Sequence, residues 1–439
     1  MNGCFGPGSP PLLGEVRIPG DKSLSHRAVL FAALADGETR VAGVLDSADV
    51  RSTIAAVREL GAHVELKTQP DGSLSGHIRG WGVACPLAWE PTIDCGNSGT
   101  TARLLMGVLA GWPIRVTLTG DESLSKRPMR RVTEPLAEMG VQFAPNEAGT
   151  LPITMLGCAR LRPIDYHSPV ASAQVKSAIL LAGLHANGTT RVIEPALSRD
   201  HTERLLPAFG IPVATDPGRC VAAVTGPVTP VAAAEVVVPR DPSSAAFLVV
   251  AALLVRGSRV VLPGVSLNET RTGFLRVLER MGGDIDVVPW PETGAERVGE
   301  LVVSFTPTLK ATVVEPWEVP SLVDEVPILA LAAACADGVT RFEGVGELRV
   351  KESDRLSAIV DGLRALGVDA TAEGDVLAVT GGALQGSQLD ALGDHRLAMT
   401  WAVAGLVAQG TVSVAGFEVV DVSYPAFARD LAALQGGAI

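Results

Sequence analysis

The chain has 439 residues, a formal net charge of −12, 47% hydrophobic residues and 19% charged ones. Such a composition can bury large cores and excludes a disordered chain. Its acidity argues against a nucleic-acid surface, which needs a basic stripe, and its length fits two to four domains.

The opening segment, MNGCFGPGSPPLLGE, has neither a basic start nor a long apolar stretch, so it does not read as a secretory signal. No apolar run approaches the ~18 residues of a membrane span, and runs such as AAFLVVAALLV predict buried helices. Cys4, Cys85, Cys95, Cys158, Cys220 and Cys335 form no CxxC pair or metal spacing, which predicts reduced thiols in a cytoplasm. The seven histidines contain no HExxH, and no structural metal is expected. Lysine is scarce: Lys22, Lys67, Lys126, Lys176, Lys310 and Lys351 are all there are.

The first strong element is RIPGDKSLSHRAVLFAALADG, Arg17 to Gly37, which predicts a helix beginning with Lys22, Ser23, Ser25 and Arg27. Asp and Ser are favoured caps, yet cations at a helix N-terminus oppose its dipole. Two readings stand: an ordinary capped start, or an anion site of backbone amides and two cations.

From here a phrase recurs along the chain. An apolar helix closes on a glycine, a β-branched strand and polar turn follow, and a second helix ends in Leu-Gly or its equivalent. The closing glycines are Gly37, Gly111, Gly188, Gly257, Gly338 and Gly410, spaced 69 to 81 residues apart. That period is too long for common solenoids and predicts six α/β units in two domains of three. The chain is expected to cross near IPGDKS and VVVPRDPSS, giving a discontinuous first domain of 1–20 and 241–439 and a second of 21–240. Each apolar helix is preceded by a turn-rich segment: GDKSLSHR, DCGNSGTTAR, SPVASAQVKS, PRDPSSAA, PSLVDEVP and GDHRLAM. Pseudo-symmetry would place these helix starts on corresponding faces, an arrangement suited to small, multiply charged anions.

DKSLSHR, GNSGTTARLL, LTGDESLSKRPM, SAQVKSAILLAGL, SRDHTERLL, DEVPILALAAA, RVKESDRLSAI and GDHRLAM occur in that order. Together they resemble the 5-enolpyruvylshikimate-3-phosphate synthase branch of the enolpyruvyl transferase family, from about Leu13 to Leu434. The resemblance implies two similar domains, each of three βαβαββ units, with the active site in the cleft between them. It implies transfer of the enolpyruvyl group of phosphoenolpyruvate to the 5-hydroxyl of shikimate 3-phosphate, by addition and elimination through a tetrahedral intermediate. Phosphate is released, no metal or organic cofactor takes part, and the step leads towards chorismate and the aromatic amino acids. A cytoplasmic monomer with no nucleic-acid or membrane partner is expected.

The resemblance also assigns residues. Glu352 matches the proton donor to carbon, Asp324 the proton acceptor for the hydroxyl, and Lys22 a lysine contacting both substrates and able to relay a proton. Arg127, Arg355 and Arg396 match phosphoenolpyruvate-binding arginines, whose planar forks suit carboxylate and phosphate. Gly99 sits in the GNSGT turn, where lack of a Cβ lets amides approach a ligand, and Gln174 lies between the substrates. Ser23, Arg27, Ser172 and Lys351 match shikimate-phosphate contacts, and Ser198 and Arg199 fall in a segment serving the same site. Read alone, Glu352 could be a helix-surface ion pair with Arg355, Ser172 and Ser198 caps, and Arg199 a solvated charge. The phosphoenolpyruvate site is also where the family binds glyphosate.

Four positions depart from patterns found in the family: Leu104 for a proline, Val422 for a lysine, Ala173 for a second serine and Glu347 for an asparagine. A sister transferase acting on UDP-N-acetylglucosamine carries a reactive cysteine on a loop of the second repeat. No cysteine lies between Cys95 and Cys158 here, and DKSxSxR is the shikimate-type start. A non-catalytic polyanion or RNA-end binder is disfavoured by the net charge and by Asp324 with Glu352.

Overall fold

The computed structural model describes residues 3–6, 8–82, 84, 90–291 and 294–436, so Cys85 lies outside the described residues. The chain divides into two compact units. One is Met1–Pro19 with Pro239–Glu292 and Arg297–Ile439, and the other is Gly20–Val238 with Thr293–Glu296. Each unit has its own contiguous hydrophobic core.

The recurring phrase is a recurring sheet. In the second unit, strand Thr92–Asp94 runs parallel to Arg115–Thr119, which is antiparallel to Ile153–Leu156, itself antiparallel to Gln142–Phe143. The same order joins Asp165–His167, Gly188–Ile193, Val221–Gly226 and Ala214–Asp216. It appears again in Glu235–Val237, Glu38–Val44, Leu74–Arg79 and His63–Thr68. There the parallel edge strand comes from the far end of the unit's sequence.

The first unit repeats the pattern with Leu13–Glu15, Arg259–Ser266, Val298–Ser304 and Asp284–Pro289. A second sheet joins Val313–Val314, Val339–Phe342, Val376–Thr380 and Ala370–Glu373. The third pairs Ser387–Asp390 in parallel with Val412–Ala415, against which the N-terminal Gly3–Phe5 lies antiparallel. The N-terminal segment therefore completes two sheets whose other strands lie hundreds of residues downstream, which is why this unit is discontinuous.

A parallel pair needs a crossover, usually a helix. Each of the six sheets has one apolar helix just ahead of its central strand: α1 (Lys22–Leu34), α2 (Gly99–Leu109), α3 (Ala173–Gly183), α4 (Pro242–Leu254), α5 (Val326–Ala334) and α6 (His395–Val407). Of these, α2, α3, α5 and α6 make the crossover directly, whereas in the sheets of α1 and α4 the parallel edge strand comes from a distant part of the sequence. They are apolar nearly all round because they sit inside a core. Every residue of α5 is buried, as is every residue of α4 except its last. The α4 run of 13 residues spans about 20 Å at helical rise, short of the ~30 Å a bilayer demands. Among the described residues no helix is long and apolar enough to cross a membrane.

Five of these six helices carry a side-chain cap: Asp21, Ser98, Ser172, Asp241 and Asp394 each accept from an amide of the first turn. At α1 the Asp21 carboxylate accepts from the Leu24 amide at 2.8 Å, so the capped reading of DKSLSHR holds for that amide.

Small residues let α2 and α3 approach closely. A Cβ added at Gly107 would lie 2.2 Å from the Ala178 carbonyl oxygen and 2.7 Å from its Cα, both backbone atoms that cannot swing away. Gly107→Ala should therefore lower stability by about 1–3 kcal/mol, read as a reduced urea midpoint. An unchanged midpoint would mean that this helix pair is not packed as described.

Burial shifts the titration of two histidines of the second unit. Burial pulls His26 down to about 3, with Nδ1 2.7 Å from Thr53 Oγ1, and pulls His185, packed edge-on to Trp112, down to about 4. The unfolded chain takes up these protons near pH 6.5, the folded chain only at much lower pH. Below about 6.5 the unfolded state binds more protons, so stability falls as pH falls, by at most about 1.4 kcal/mol per pH unit for each ring. Urea midpoints should decline steadily from pH 7 to pH 4.5. A flat profile would show that both rings are already protonated in the fold.

Candidate active site

In the first unit the assigned residues gather on one buried guanidinium. Arg355 opens the helix Arg355–Ala365, and only 1% of its side chain is exposed. Its Nε donates to Asp394 Oδ2 at 2.6 Å, Nη1 to Asp324 Oδ1 at 3.2 Å, and Nη2 to Glu352 Oε2 at 2.6 Å and Asp394 Oδ1 at 3.3 Å. Burial works against its charge, but Asp394, Glu352 and Asp324 more than restore it, and the group sits above its ordinary value. The Glu352–Arg355 pair exists, yet it is not a helix-surface pair. Glu352 precedes the helix, and its partner is interior.

Asp324 lies in the short turn Val323–Glu325 ahead of α5. Besides Arg355, it meets Lys351 Nζ at 3.7 Å and Arg396 Nη2 at 3.8 Å, while its carbonyl accepts from Arg396 Nη1 at 3.1 Å. Arg396, second in α6, also reaches the buried Glu325 at 3.4 Å. Asp394 caps α6 by accepting from the Arg396 amide at 2.9 Å, so one carboxylate holds both arginines. Asp324, Lys351, Glu352, Arg355 and Arg396 thus form one connected cluster. Asp394 and Glu325, central to it, were not singled out by sequence reasoning, although both lie within the quoted GDHRLAM and DEVPILALAAA motifs.

In the second unit Lys22 stands at the start of α1, its Nζ 2.5 Å from Asp49 of the neighbouring helix Ala48–Glu59. Arg27, one turn further and 2% exposed, donates to Thr202 Oγ1 and Ser177 Oγ at 2.8 Å each and to the Ser23 carbonyl at 3.0 Å. These partners are neutral oxygens, and Arg27 holds the Ser23 end of α1 against the segments carrying Ser177 and Thr202.

Gly99 is the first residue of α2 rather than part of the preceding turn. The space beside it is taken by arginines: a Cβ there would lie 2.7 Å from Arg103 Nη1 and 3.5 Å from Arg127 Nη1. Arg127 donates to Asn97 Oδ1 at 2.7 Å. Arg103 donates to Gln174 Oε1 at 2.6 Å, and Gln174 Nε2 donates to Thr100 Oγ1 at 2.9 Å, which fixes the orientation of that amide. Arg103 was missed by sequence reasoning although GNSGTTAR contains it.

Ser172 caps α3, accepting from the Val175 amide at 3.5 Å, and its own amide donates to Glu194 at 2.9 Å. Ser198 is buried and donates its hydroxyl to the same carboxylate at 2.8 Å. The capping reading is therefore met at Ser172 and not at Ser198. Arg199 is partly buried just before the helix His201–Leu205. No sequence signal marked Glu194. Burial pushes the Cys95 and Cys335 thiols up to about 12, which leaves them unreactive.

The model of the family described as EPSP synthase (3-phosphoshikimate 1-carboxyvinyltransferase) matches residues 7–431. A 3-phosphoshikimate 1-carboxyvinyltransferase of Methylobacterium sp. (strain 4-46) is 49% identical over 434 residues, covering 97% of this chain and 95% of that protein. One of Zymomonas mobilis is 46% identical over 430 residues, covering 96% and 94%. Among solved structures, an EPSP synthase from Acinetobacter baumannii superposes with a TM-score of 0.86 at 40% identity, covering 98% of this chain and 97% of that one. The enolpyruvyl transferase NikO from Streptomyces tendae, 18% identical with a TM-score of 0.78, shares the fold. Carrying these motifs on this sixfold fold, and matched over nearly its whole length, the chain belongs to the EPSP synthase family, enzymes that transfer the enolpyruvyl group of phosphoenolpyruvate to shikimate 3-phosphate.

Proposed function

We propose that the transfer is carried by Asp324, Glu352 and Lys22. The observation that carries this assignment is the shared guanidinium of Arg355, from which Asp324 and Glu352 both hang at 3.2 and 2.6 Å. Two carboxylates held at set positions by one rigid fork suit a reaction that moves two protons in one step. In the addition, the 5-hydroxyl oxygen of shikimate 3-phosphate bonds to C2 of phosphoenolpyruvate. Its proton passes to Asp324, and Glu352 delivers a proton to the methylene carbon, giving a methyl group and a tetrahedral phosphoketal. In the elimination, the methyl group returns a proton to the Glu352 carboxylate as the C–O bond to phosphate breaks, and the proton held by Asp324 since the addition passes to the departing phosphate. Lys22, close to Asp49, offsets substrate charge and can pass on the hydroxyl proton.

Phosphoenolpyruvate is assigned to Lys22, Gly99, Arg127, Gln174, Arg355 and Arg396. Shikimate 3-phosphate is assigned to Lys22, Ser23, Arg27, Ser172, Gln174, Ser198, Arg199, Asp324 and Lys351. Arg355 serves mainly as the frame for the carboxylates, since each of its nitrogens already meets one. The enzyme is read as a cytoplasmic monomer.

Glu352→Gln keeps the shape of the side chain but removes the proton it must give and take. Its kcat should fall about 10²–10⁴-fold, with the KM for phosphoenolpyruvate changed only a few-fold and the protein still folded, although its thermal midpoint drops because Arg355 loses one charged partner. Turnover close to that of the unmodified enzyme would remove Glu352 from the proton path.

Glyphosate, a zwitterion longer than phosphoenolpyruvate with carboxylate and phosphonate ends, should compete with it. At Gly99→Ala the new methyl group meets the Arg103 guanidinium first and crowds Arg127. Glyphosate binding should weaken by about 1–3 kcal/mol, more than phosphoenolpyruvate binding. Equal inhibition curves for both proteins would show that Gly99 does not line the inhibitor site.

A further inference from the structure

The second unit holds a cluster of buried charge to which no role has been given. Lys176, 2% exposed, is paired with Glu194 at 2.9 Å and Glu203 at 2.8 Å, and its Nζ also lies 3.5 Å from the Ser198 carbonyl oxygen. Burying three ionisable groups costs desolvation that their attraction repays only in good geometry, so such a cluster is weak evidence for a purely stabilising role.

Glu194 differs from Glu203 in what else it touches. Its Oε1 accepts the Ser172 amide at 2.9 Å, and its Oε2 accepts the Ser198 hydroxyl at 2.8 Å. These serines come from separate loops, one at the start of α3 and one ahead of the helix His201–Leu205. A carboxylate only accepts, so both contacts are fixed in direction. The Ser198 hydroxyl is turned towards Glu194, while the Ser172 hydroxyl accepts only a long bond from Val175 at 3.5 Å and keeps its proton for another acceptor. Behind a phosphate site, an uncompensated carboxylate would repel the ligand. Lys176 cancels that charge from the buried side, and Glu203 completes the lysine's coordination without reaching either serine.

We propose that Glu194 is a positioning residue for the phosphate of shikimate 3-phosphate, holding the Ser172 and Ser198 loops in place while Lys176 neutralises it. This rests on the assignment of Ser172 and Ser198 to that substrate. Lys176 is raised above its ordinary value, since the two carboxylates outweigh the burial that opposes its charge, and it stays a cation through the neutral range.

The test is steady-state kinetics with each substrate varied in turn, together with thermal midpoints, for Glu194→Gln, Glu194→Asp, Glu203→Gln and Ser172→Ala. In Glu194→Gln one half of the amide is a donor, and it faces a group that is itself a donor. The KM for shikimate 3-phosphate should rise about ten- to hundredfold, the scale of a lost charged hydrogen bond. The KM for phosphoenolpyruvate and kcat should stay within about threefold. Glu194→Asp keeps the charge and should recover part of the loss. Glu203→Gln disturbs the same buried cluster and should lower the midpoint, but leave the KM for shikimate 3-phosphate within about twofold.

An equal rise in Glu203→Gln and Glu194→Gln would reduce Glu194 to a general structural residue and overturn the proposal. If Ser172→Ala raises that KM and Glu194→Gln does not, the proposal alone falls. If Ser172→Ala leaves it unchanged, the serine assignment falls and the proposal with it. Should Glu194→Gln not fold, Glu194→Asp decides: a raised KM for shikimate 3-phosphate at near-normal kcat supports the role, and an unchanged KM overturns it.

Discussion

The first unit's chemistry depends on one buried arginine. Arg355 is out of water and must be paid for by its partners, and it has three: Asp394, Asp324 and Glu352. Removing one partner from such a network leaves charge uncompensated, at a cost of roughly 3–5 kcal/mol. The same bonds that make the guanidinium tolerable determine where the two candidate proton-transfer groups sit. Asp394 extends the arrangement by capping α6 and thereby seating Arg396. Stability and site geometry therefore rest on the same contacts.

The second unit solves a related problem with different chemistry. Arg27 donates to two hydroxyls and a carbonyl, those of Thr202, Ser177 and Ser23. Around Ser172 and Ser198 the charge is again paired, but by Lys176 and Glu194 from the buried side. Gln174 is held from both ends, by Arg103 and Thr100, so its amide is oriented before any ligand arrives.

The sixfold pattern explains why these groups recur at corresponding places. In each repeat an apolar helix buried in the core precedes the central strand, so its polar residues fall within its first two turns and the segment before it. Lys22, Gly99, Gln174, Asp324 and Arg396 all lie at or just ahead of such a helix start. Five of the six starts are closed by a side-chain cap, so backbone amides are only part of what they offer.

Much of this could be read along the chain. The glycines after each apolar helix, and the periodic switch from helix to β-branched strand, are local signals. They survive because helix and strand patterning depends on near neighbours. The ordered motifs pointed to Asp324, Glu352, Arg355 and Lys22 in the same way. What could not be read is pairing across distance. Asp394 joins Arg355 from 39 residues away, Glu194 joins Ser172 from 22, and Arg103 joins Gln174 from 71. Nothing local distinguishes a carboxylate that ends beside a buried cation from one that ends in water. For that reason Glu352 beside Arg355 could equally have been a surface pair. Only the packing of α5, α6 and the Arg355 helix into one core took the guanidinium out of solvent, and burial is what turned an ordinary i, i+3 spacing into the frame of the site.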